Sequence, residues 1–189
     1  KPALLLMHGL PGSGKTWLSE RLIGRLPAVR VRSDVERKRP FGLSATEHSH
    51  SAVGGGLYGQ AATEQTYAQV LDWARAALEG GFTVIVDAAF ADAPQRRPFR
   101  QLACDLGCAY MILHCDAAED VLAARVAARQ TRGDDASEAG LDVLRARIAQ
   151  GSTLGSDEEP FVIRIDTGGE ASIDALLPRL ARRLNPIPA

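Results

Sequence analysis

The residue types best suited to chemistry lie in one glycine-rich segment, Gly9–Thr16, which reads Gly-Leu-Pro-Gly-Ser-Gly-Lys-Thr. It fills every position of the pattern G-x-x-x-x-G-K-[ST], whose backbone N–H groups surround phosphate oxygens. Its glycines let the chain turn around an anion without a clashing Cβ. Lys15 is expected to reach the β- and γ-phosphates, and the hydroxyl of Thr16 to bind Mg²⁺. The predicted nucleotide-binding residues are Gly9, Pro11, Gly12, Ser13, Gly14, Lys15 and Thr16.

The sequence on both sides of this segment supports the same interpretation. An apolar run, Ala3–His8, precedes it, and the helix-like stretch Trp17–Ile23 follows it. A phosphate loop needs a strand before it and a helix after it, and the positive end of that helix faces the same anion. An ordinary glycine-rich turn would not need every position filled. The sequence therefore predicts a bound nucleoside triphosphate.

Five short apolar runs alternate with helical patterns along the chain, which predicts a doubly wound, five-stranded parallel α/β sheet. The runs are Leu4–His8, Ala28–Arg32, Phe82–Asp87, Tyr110–Cys115 and Phe161–Ile165. They lack the polar alternation of a half-solvated strand, as expected when helices cover both faces. In such a sheet, the loops at the carboxyl ends of the strands meet at one crevice.

Length and composition favour one globular domain that spans residues 1–189, with 46% apolar and 24% charged residues. The formal charge of -1 gives no general attraction to nucleic acid or to membranes. Because no apolar stretch reaches membrane-spanning length and no leader precedes the first strand, we expect no membrane partner and a cytoplasmic location. The sequence starts at Lys1, which is consistent with a shortened chain or with one domain of a longer protein.

Two irregular segments interrupt the regular pattern. Phe41–Gly59 contains three consecutive glycines and predicts a long substrate loop, because loops of this length in compact domains are usually functional or disordered. The second segment breaks a helical pattern near Gly133. We expect it to form a small helical lid over residues 125–140.

Missing residues help to exclude two classes of phosphate-loop protein. GTPases of the Ras type read guanine with an Asn-Lys-x-Asp segment, but the only asparagine here is Asn185. Mechanical ATPases need an Asp-Glu pair at the end of a strand, whereas here Ala88 follows Asp87. A switch and a motor are therefore disfavoured. Asp87 is still expected to bind Mg²⁺ together with Thr16.

The segment after the second strand supplies parts that a kinase needs. Asp34 should lie at the phosphate crevice and accept a proton from an acceptor hydroxyl, and Arg37, one helical turn later, should hold the acceptor. A purely structural alternative exists, in which Ser33 and Glu36 form a capping box and Asp34 only favours the helix dipole. With the phosphate loop present, we favour the functional interpretation.

Three arginines, Arg125, Arg129 and Arg132, are spaced to share one face of a helix. A solvated surface is the usual explanation for such spacing. These residues run directly into the predicted lid, however, and arginines on a closing lid can neutralise a transferred phosphoryl group. We expect catalytic roles for Arg125 and Arg129, and contact of Arg129 with the nucleotide.

Four of these segments together resemble the P-loop kinase family that includes polynucleotide 5′-kinases and zeta-toxin-like kinases. The segments are Gly9–Thr16, Ser33–Arg37, Val84–Asp87 and Arg125–Arg129. In polynucleotide kinases the aspartate after the second strand is the general base, and the arginine three residues later helps to bind the acceptor. The resemblance implies these roles for Asp34 and Arg37.

A closer resemblance, to the AAA-33-type ATP-binding domains, extends from Leu4 to about Thr167. It is carried by Asp87–Phe90, Arg96–Phe99 and Asp135–Ala139. In many bacterial proteins such domains follow an aminoglycoside-phosphotransferase-like domain in the same chain. The resemblance implies a kinase fold, the use of ATP and a fused or partner domain.

The sequence thus favours an ATP-dependent phosphotransferase that moves the γ-phosphate to a hydroxyl of a small molecule or of a polynucleotide 5′ end. A local basic cluster gives a polynucleotide limited support, because aromatic residues for base stacking are scarce nearby. The cluster is Arg30, Arg32, Arg37, Lys38 and Arg39. The alternative is an ATP-binding or ATP-hydrolysing regulatory module that controls a fused or partner domain.

Overall fold

The computed structural model describes residues 1–47, 49, 56–132, 135–151, 154–169 and 173–184. Its strands are β1 (Ala3–His8), β2 (Ala28–Arg32), β3 (Thr83–Asp87), β4 (Ala109–Asp116) and β5 (Val162–Asp166). They form one five-stranded sheet in the order β2-β3-β1-β4-β5, in which every pair is parallel. The predicted five-stranded parallel α/β sheet is confirmed.

Helices connect the strands and cover both faces of the sheet. They are α1 (Lys15–Ile23), α2 (Ser33–Lys38), α3 (Gln60–Glu79), α4 (Ala93–Asp105), α5 (Glu119–Arg132), α6 (Leu141–Gln150) and α7 (Ile173–Leu184). Helices α3 and α4 pack on one face, and α1 and α7 on the other. Within the described ranges, none of these helices is long and apolar enough to cross a bilayer.

The two-sided packing explains why the strands read as continuous apolar runs. Every residue of β1 is buried. Leu4 and Leu6 point into the core under α3 and α4, while Leu5 and Met7 point into the core under α1 and α7. Successive side chains of a strand face opposite ways, so a strand covered on both sides needs apolar residues at every position.

The strand order places the predicted site residues at one edge of the sheet. β3 lies between β1 and β2, and Asp87 at its carboxyl end is in register with Met7 on one side and with Arg32 on the other. The phosphate loop begins just after β1, and α2 begins directly after Arg32. Asp87 therefore lies between the phosphate loop and the start of α2.

The two segments predicted to be irregular are irregular where they are described. In Phe41–Gly59, residues 48 and 50–55 lie outside the described residues, and the rest includes a 3₁₀ turn at Gly56–Tyr58. In the predicted lid, α5 carries the three arginines and a non-helical stretch, residues 135–140, leads into α6.

Candidate active site

The backbone of the phosphate loop passes so close to neighbouring elements that only glycine fits at two positions. Gly9 has φ 140°, and a Cβ on it would lie 2.3 Å from the carbonyl oxygen of Cys115. Gly12 has φ 81°, and its Cβ would lie 2.6 Å from the carbonyl oxygen of Leu122. The loop is therefore packed against the end of β4 and the start of α5.

The polar groups of this loop suit an anion. The Nζ of Lys15 donates to the carbonyl oxygens of Gly9 (2.7 Å) and Leu10 (2.8 Å), which folds the side chain across the loop. Burial lowers the pKa of Lys15, although the nearby carboxylate of Asp87 opposes the shift. The buried Oγ of Ser13 has no partner among the described residues. A partly buried ammonium and an orphaned buried hydroxyl in the same loop fit a phosphate.

The remaining predicted loop residues complete this cradle. Pro11 and Gly12 form a turn in the middle of the loop, and Gly14, with φ 82°, is the N-cap of α1. Lys15 and Thr16 are consequently the first two residues of a helix whose N–H groups face the cradle.

The sequence predicts Thr16 and Asp87 as the oxygen ligands of Mg²⁺, and Ser19 connects the two residues. Its Oγ lies 3.1 Å from the Oδ2 of Asp87 and 3.0 Å from the carbonyl oxygen of Thr16. Burial raises the pKa of Asp87, while the charges of Arg32 and Lys15 oppose that shift. A carboxylate and a hydroxyl beside a phosphate cradle are the hard donors that Mg²⁺ prefers, so these residues fit the ion.

Asp34 lies in the first turn of α2 and is partly buried. It follows Arg32 by two residues, and Arg32 is in register with Asp87 at the end of β3. Burial raises the pKa of Asp87, and the charge of Asp34 adds to that shift. Asp34 therefore lies at the same edge of the sheet as the phosphate loop and Asp87.

Arg37 is 7% exposed and anchors one end of the predicted substrate loop. Its Nη1 donates to the carbonyl oxygen of Leu57 (2.8 Å) and to the Oγ1 of Thr63 (3.0 Å), and its guanidinium lies over the Tyr58 ring at 5.1 Å. Its buried Nε has no partner in the described part of the chain. One buried N–H group of Arg37 is thus left without a hydrogen-bond partner among the described residues.

The structural alternative for the start of α2, a capping box of Ser33 and Glu36, is wrong. The N-cap is Arg32, and it makes no side-chain capping bond. Glu36 instead accepts a hydrogen bond from the Nε1 of Trp73 (3.2 Å) and pairs with Arg39 (3.2 Å). Packing of α2 against α3 directs the carboxylate away from the helix N-terminus.

The basic cluster of residues 30–39 does not form an open cationic surface. Arg30 pairs with Glu20 at 3.3 Å and Lys38 with Glu138 at 3.1 Å, and Arg37 is buried as described above. Arg32 lies 3.7 Å from Asp87 and 3.1 Å from Asp135, and Arg39 pairs with Glu36. Each of these cations has an internal partner, which weakens the argument for a polynucleotide acceptor.

The two lid arginines lie on one face of α5 but contact different groups. Arg125 donates to the carbonyl oxygen of Thr167 (2.6 Å) and, more weakly, to that of Gly12 (3.3 Å). Arg129 donates to the carbonyl oxygen of Ala139 (2.6 Å). Arg125 thus supports the phosphate loop, while Arg129 holds the stretch that follows α5.

Sequence reasoning missed three residues of this site: Ser19, Thr167 and Glu138. The Oγ1 of Thr167 contacts the carbonyl oxygen of Ser13 at 2.9 Å. Its position directly after β5, at the same sheet edge as the phosphate loop, was a signal that could have revealed it. Ser19 lies one helical turn after Thr16, and this spacing could also have indicated it from the sequence. The contacts of Glu138 depend on long-range packing and leave no such signal.

Comparison with known proteins places the chain among relatives with the same fold. Uncharacterized protein Rv2004c of Mycobacterium tuberculosis is 32% identical over 134 residues, which are 71% of this chain but 27% of that protein. A Chloroflexus aurantiacus protein provisionally described as a kinase superposes with a TM-score of 0.72 at 20% identity, over 97% of this chain and 99% of the other. A gluconokinase from Sinorhizobium meliloti gives 0.65 at 18% identity, over 97% and 95%.

These likenesses establish the fold and the family. At identities of 20% and below, the solved structures show a shared P-loop kinase fold and nothing more. The aligned region spans about a quarter of the length of the mycobacterial relative. The family model for the AAA domain AAA_33 matches residues 4–151, which is well over half of the chain. The chain therefore belongs to the AAA_33 family and has the fold of the P-loop kinases.

Proposed function

We propose that this chain transfers the γ-phosphate of ATP to a hydroxyl group of an acceptor. The observation that carries the proposal is the meeting of three adjacent strand ends. Strands β1, β3 and β2 are neighbours in the sheet. The phosphate loop with Lys15 follows β1, the candidate metal ligand Asp87 ends β3, and the candidate base Asp34 lies just after β2. A phosphate cradle, a metal site and a base in one crevice are the parts of a kinase.

In the proposed reaction, Asp34 accepts the proton of the acceptor hydroxyl. The acceptor oxygen then forms a bond to the γ-phosphorus, the bond from that phosphorus to the β,γ-bridging oxygen breaks, and ADP leaves with that oxygen. Lys15 and the loop N–H groups hold the phosphates in line. Mg²⁺ held by Thr16 and Asp87 would neutralise charge on the β- and γ-phosphates.

The arginines complete the proposed site. Arg129, one helical turn after Arg125 on α5, stabilises charge on the transferred group. Arg125 contributes by holding the phosphate loop in shape through Gly12. Arg37 positions the acceptor by anchoring one end of the substrate loop through Leu57 and Thr63. The internal pairing of the basic cluster favours a small-molecule acceptor over a polynucleotide.

A screen of acceptors with γ-labelled ATP tests the proposal, with wild type beside Asp34→Ala. We expect labelled product from at least one hydroxyl compound, and turnover lowered about 10²- to 10⁴-fold by the substitution. The affinity for ATP should hardly change, because Asp34 is not part of the phosphate cradle. Asp142→Ala is a matched control, since Asp142 also lies in the first turn of a helix but is 89% exposed and pairs with Arg145 on the same helix. Normal turnover by Asp34→Ala on a true acceptor would refute the assignment.

A second candidate function is a nucleotide-dependent regulatory module for a fused or partner domain. It is favoured by the length of the mycobacterial relative, of which the aligned region is only 27%. Tight ATP binding without any phosphorylated product across the acceptor panel would support it. Identical hydrogen exchange in the presence of ADP and ATP would contradict it, because a sensor must distinguish the two.

A further inference from the structure

One carboxylate, that of Glu138, joins the lid to the substrate loop. Its Oε1 accepts a hydrogen bond from the backbone N of Ser49 (2.9 Å), and its Oε2 accepts one from the Ser49 hydroxyl (2.7 Å). Its Oε1 also lies 3.1 Å from the Nζ of Lys38. Three donors from two other segments thus converge on a residue of the stretch 135–140.

Lys38 makes this contact difficult to break. Its side chain is 1% exposed, and its Nζ also donates to the carbonyl oxygen of Ala45 at 3.0 Å. If Glu138 moved away, the buried ammonium would lose its carboxylate partner, and leaving a buried charge unpaired is strongly destabilising. Burial acts to raise the pKa of Glu138, but the bonds from Ser49 and the charge of Lys38 outweigh it and lower that pKa. The carboxylate is therefore ionised at neutral pH and holds all three donors.

The other end of the same lid segment reaches the phosphate site. The Nη2 of Arg129 donates to the carbonyl oxygen of Ala139, the residue next to Glu138, at 2.6 Å. One turn earlier on the same helix, Arg125 donates to the carbonyl oxygen of Gly12 in the phosphate cradle at 3.3 Å. Contacts therefore lead from the cradle through α5 and Ala139 to Glu138, and from there to Ser49.

We infer that Glu138 is a positioning residue that couples nucleotide binding to the order of the substrate loop. When a γ-phosphate binds the guanidinium of Arg129, the hydrogen bond from this arginine to Ala139 changes. Glu138, the neighbour of Ala139, transmits the change to Ser49 and Lys38. Nucleotide and acceptor would then strengthen each other's binding, because coupling between two sites is reciprocal. The inference rests on the nucleotide binding of the proposed function but not on phosphotransfer.

Hydrogen exchange with and without Mg²⁺ and the ATP analogue AMPPNP tests this coupling. In wild type, we expect AMPPNP to slow exchange of the amides of Gly12–Thr16 and also those of Ala45, Thr46 and Ser49. The slowing at the substrate loop should be about tenfold, a common size for such coupling. In Glu138→Gln, protection of Gly12–Thr16 should persist while the effect at the substrate loop disappears.

Two further variants separate coupling from a loss of stability. Glu159→Gln breaks an exposed ion pair with Arg164, outside the crevice, and should behave as wild type. The double variant Lys38→Met with Glu138→Leu removes both buried charges, so it should keep its stability and still lack the nucleotide effect.

The outcomes that would overturn the inference are distinct from those that concern the proposed function. If AMPPNP protected the substrate loop of Glu138→Gln as well as that of wild type, Glu138 would not carry the coupling. Protection of Gly12–Thr16 alone in wild type would contradict the coupling and leave the proposed function intact. No protection anywhere in wild type would contradict nucleotide binding and the coupling together.

Discussion

The guanidinium of Arg125 donates to the carbonyl oxygen of Thr167 at 2.6 Å and so joins α5 to the loop after β5. The same guanidinium reaches the Oγ1 of Thr167 (3.1 Å) and the carbonyl oxygen of Gly12 (3.3 Å), while this Oγ1 also contacts Ser13. Two backbone carbonyls of the phosphate loop thus depend on residues that are remote from it in sequence. The shape of the cradle is fixed from outside as well as by its own glycines.

Arg125→Ala is therefore expected to weaken nucleotide binding more than it slows turnover at saturation. Hydrogen bonds from a charged group contribute about 1.5 to 3 kcal/mol, which corresponds to a dissociation constant for ATP about 10- to 100-fold higher. Arg125→Lys should recover little of the loss, since an ammonium cannot reach both elements. Titration calorimetry with AMPPNP measures the effect. An unchanged affinity would show that the contacts of Arg125 do not support the loop.

Thr16→Val should remove most of the benefit that Mg²⁺ gives to ATP binding. The substitution deletes the hydroxyl beside Asp87 with almost no change in volume. We expect Ser19→Ala, which removes a donor to Asp87, to weaken the Mg²⁺ effect by about tenfold, and Thr16→Val to weaken it further. ATP affinities measured in Mg²⁺ and in EDTA give the comparison. Equal Mg²⁺ effects in wild type and Thr16→Val would exclude Thr16 as a ligand.

A buried ion pair beneath the site predicts a large change in stability. Arg96 is 0% exposed and binds Glu158 through two bonds of 2.7 and 2.6 Å, and it also holds the carbonyl oxygen of Phe90, whose φ is 48°. Arg96→Met should lower the free energy of unfolding by about 3 to 5 kcal/mol, because it leaves a buried carboxylate unpaired. Urea denaturation measures the loss.

The partner substitution provides the control for that prediction. Adding Glu158→Leu to Arg96→Met removes the stranded charge, so the double variant should be more stable than Arg96→Met alone. Strictly additive losses would mean that the two side chains do not interact energetically.

Stability should also fall in mild acid because of the histidine under the phosphate loop. His8 is fully buried, with its Nδ1 2.7 Å from the Nδ1 of His114. Burial, and then the charge of His114, lowers the pKa of His8 from 6.5 to about 3. Below pH 6.5 the unfolded chain binds a proton that the folded chain does not. The free energy of unfolding should therefore decrease by about 1.4 kcal/mol per pH unit, until the pH reaches about 3.

Urea denaturation at pH 7 and pH 5 measures this slope, and we expect a difference of about 2 kcal/mol from His8. The pKa of His114 is lowered as well, mainly by burial, so it adds in the same direction. Replacing both residues, His8→Asn with His114→Asn, should flatten the dependence over this range. A slope that survives the double replacement would have to come from other groups.

The strands could be predicted from the sequence because a doubly covered parallel sheet leaves a local signal. All five exist where apolar runs indicated them, and every strand end lies within one residue of its predicted position. Phe82 and Phe161 fall outside their strands, since Phe82 is 54% exposed and Phe161 ends a 3₁₀ turn. Hydrophobicity alone cannot separate such flanking residues from the strand that they adjoin.

The phosphate loop was readable for a similar reason, because its chemistry is contained in eight consecutive positions. The partners of charged residues could not be read from the sequence. Lys38 pairs with Glu138, which is 100 residues away, and only the folding of the chain brings the two together. The roles of Asp34, Arg37 and the lid arginines stay predictions, since placement in a crevice does not by itself prove chemistry.

The substrate loop is held near both ends by side chains of α2 that bind its backbone. Lys38 binds the carbonyl oxygen of Ala45 near one end, and Arg37 binds that of Leu57 near the other. Both contacts are made to backbone atoms, which every amino acid provides. Substitutions at Ala45 and Leu57 would therefore leave the accepting atoms of both anchors in place. The same two anchors give protein engineers fixed points for grafting a different segment between them.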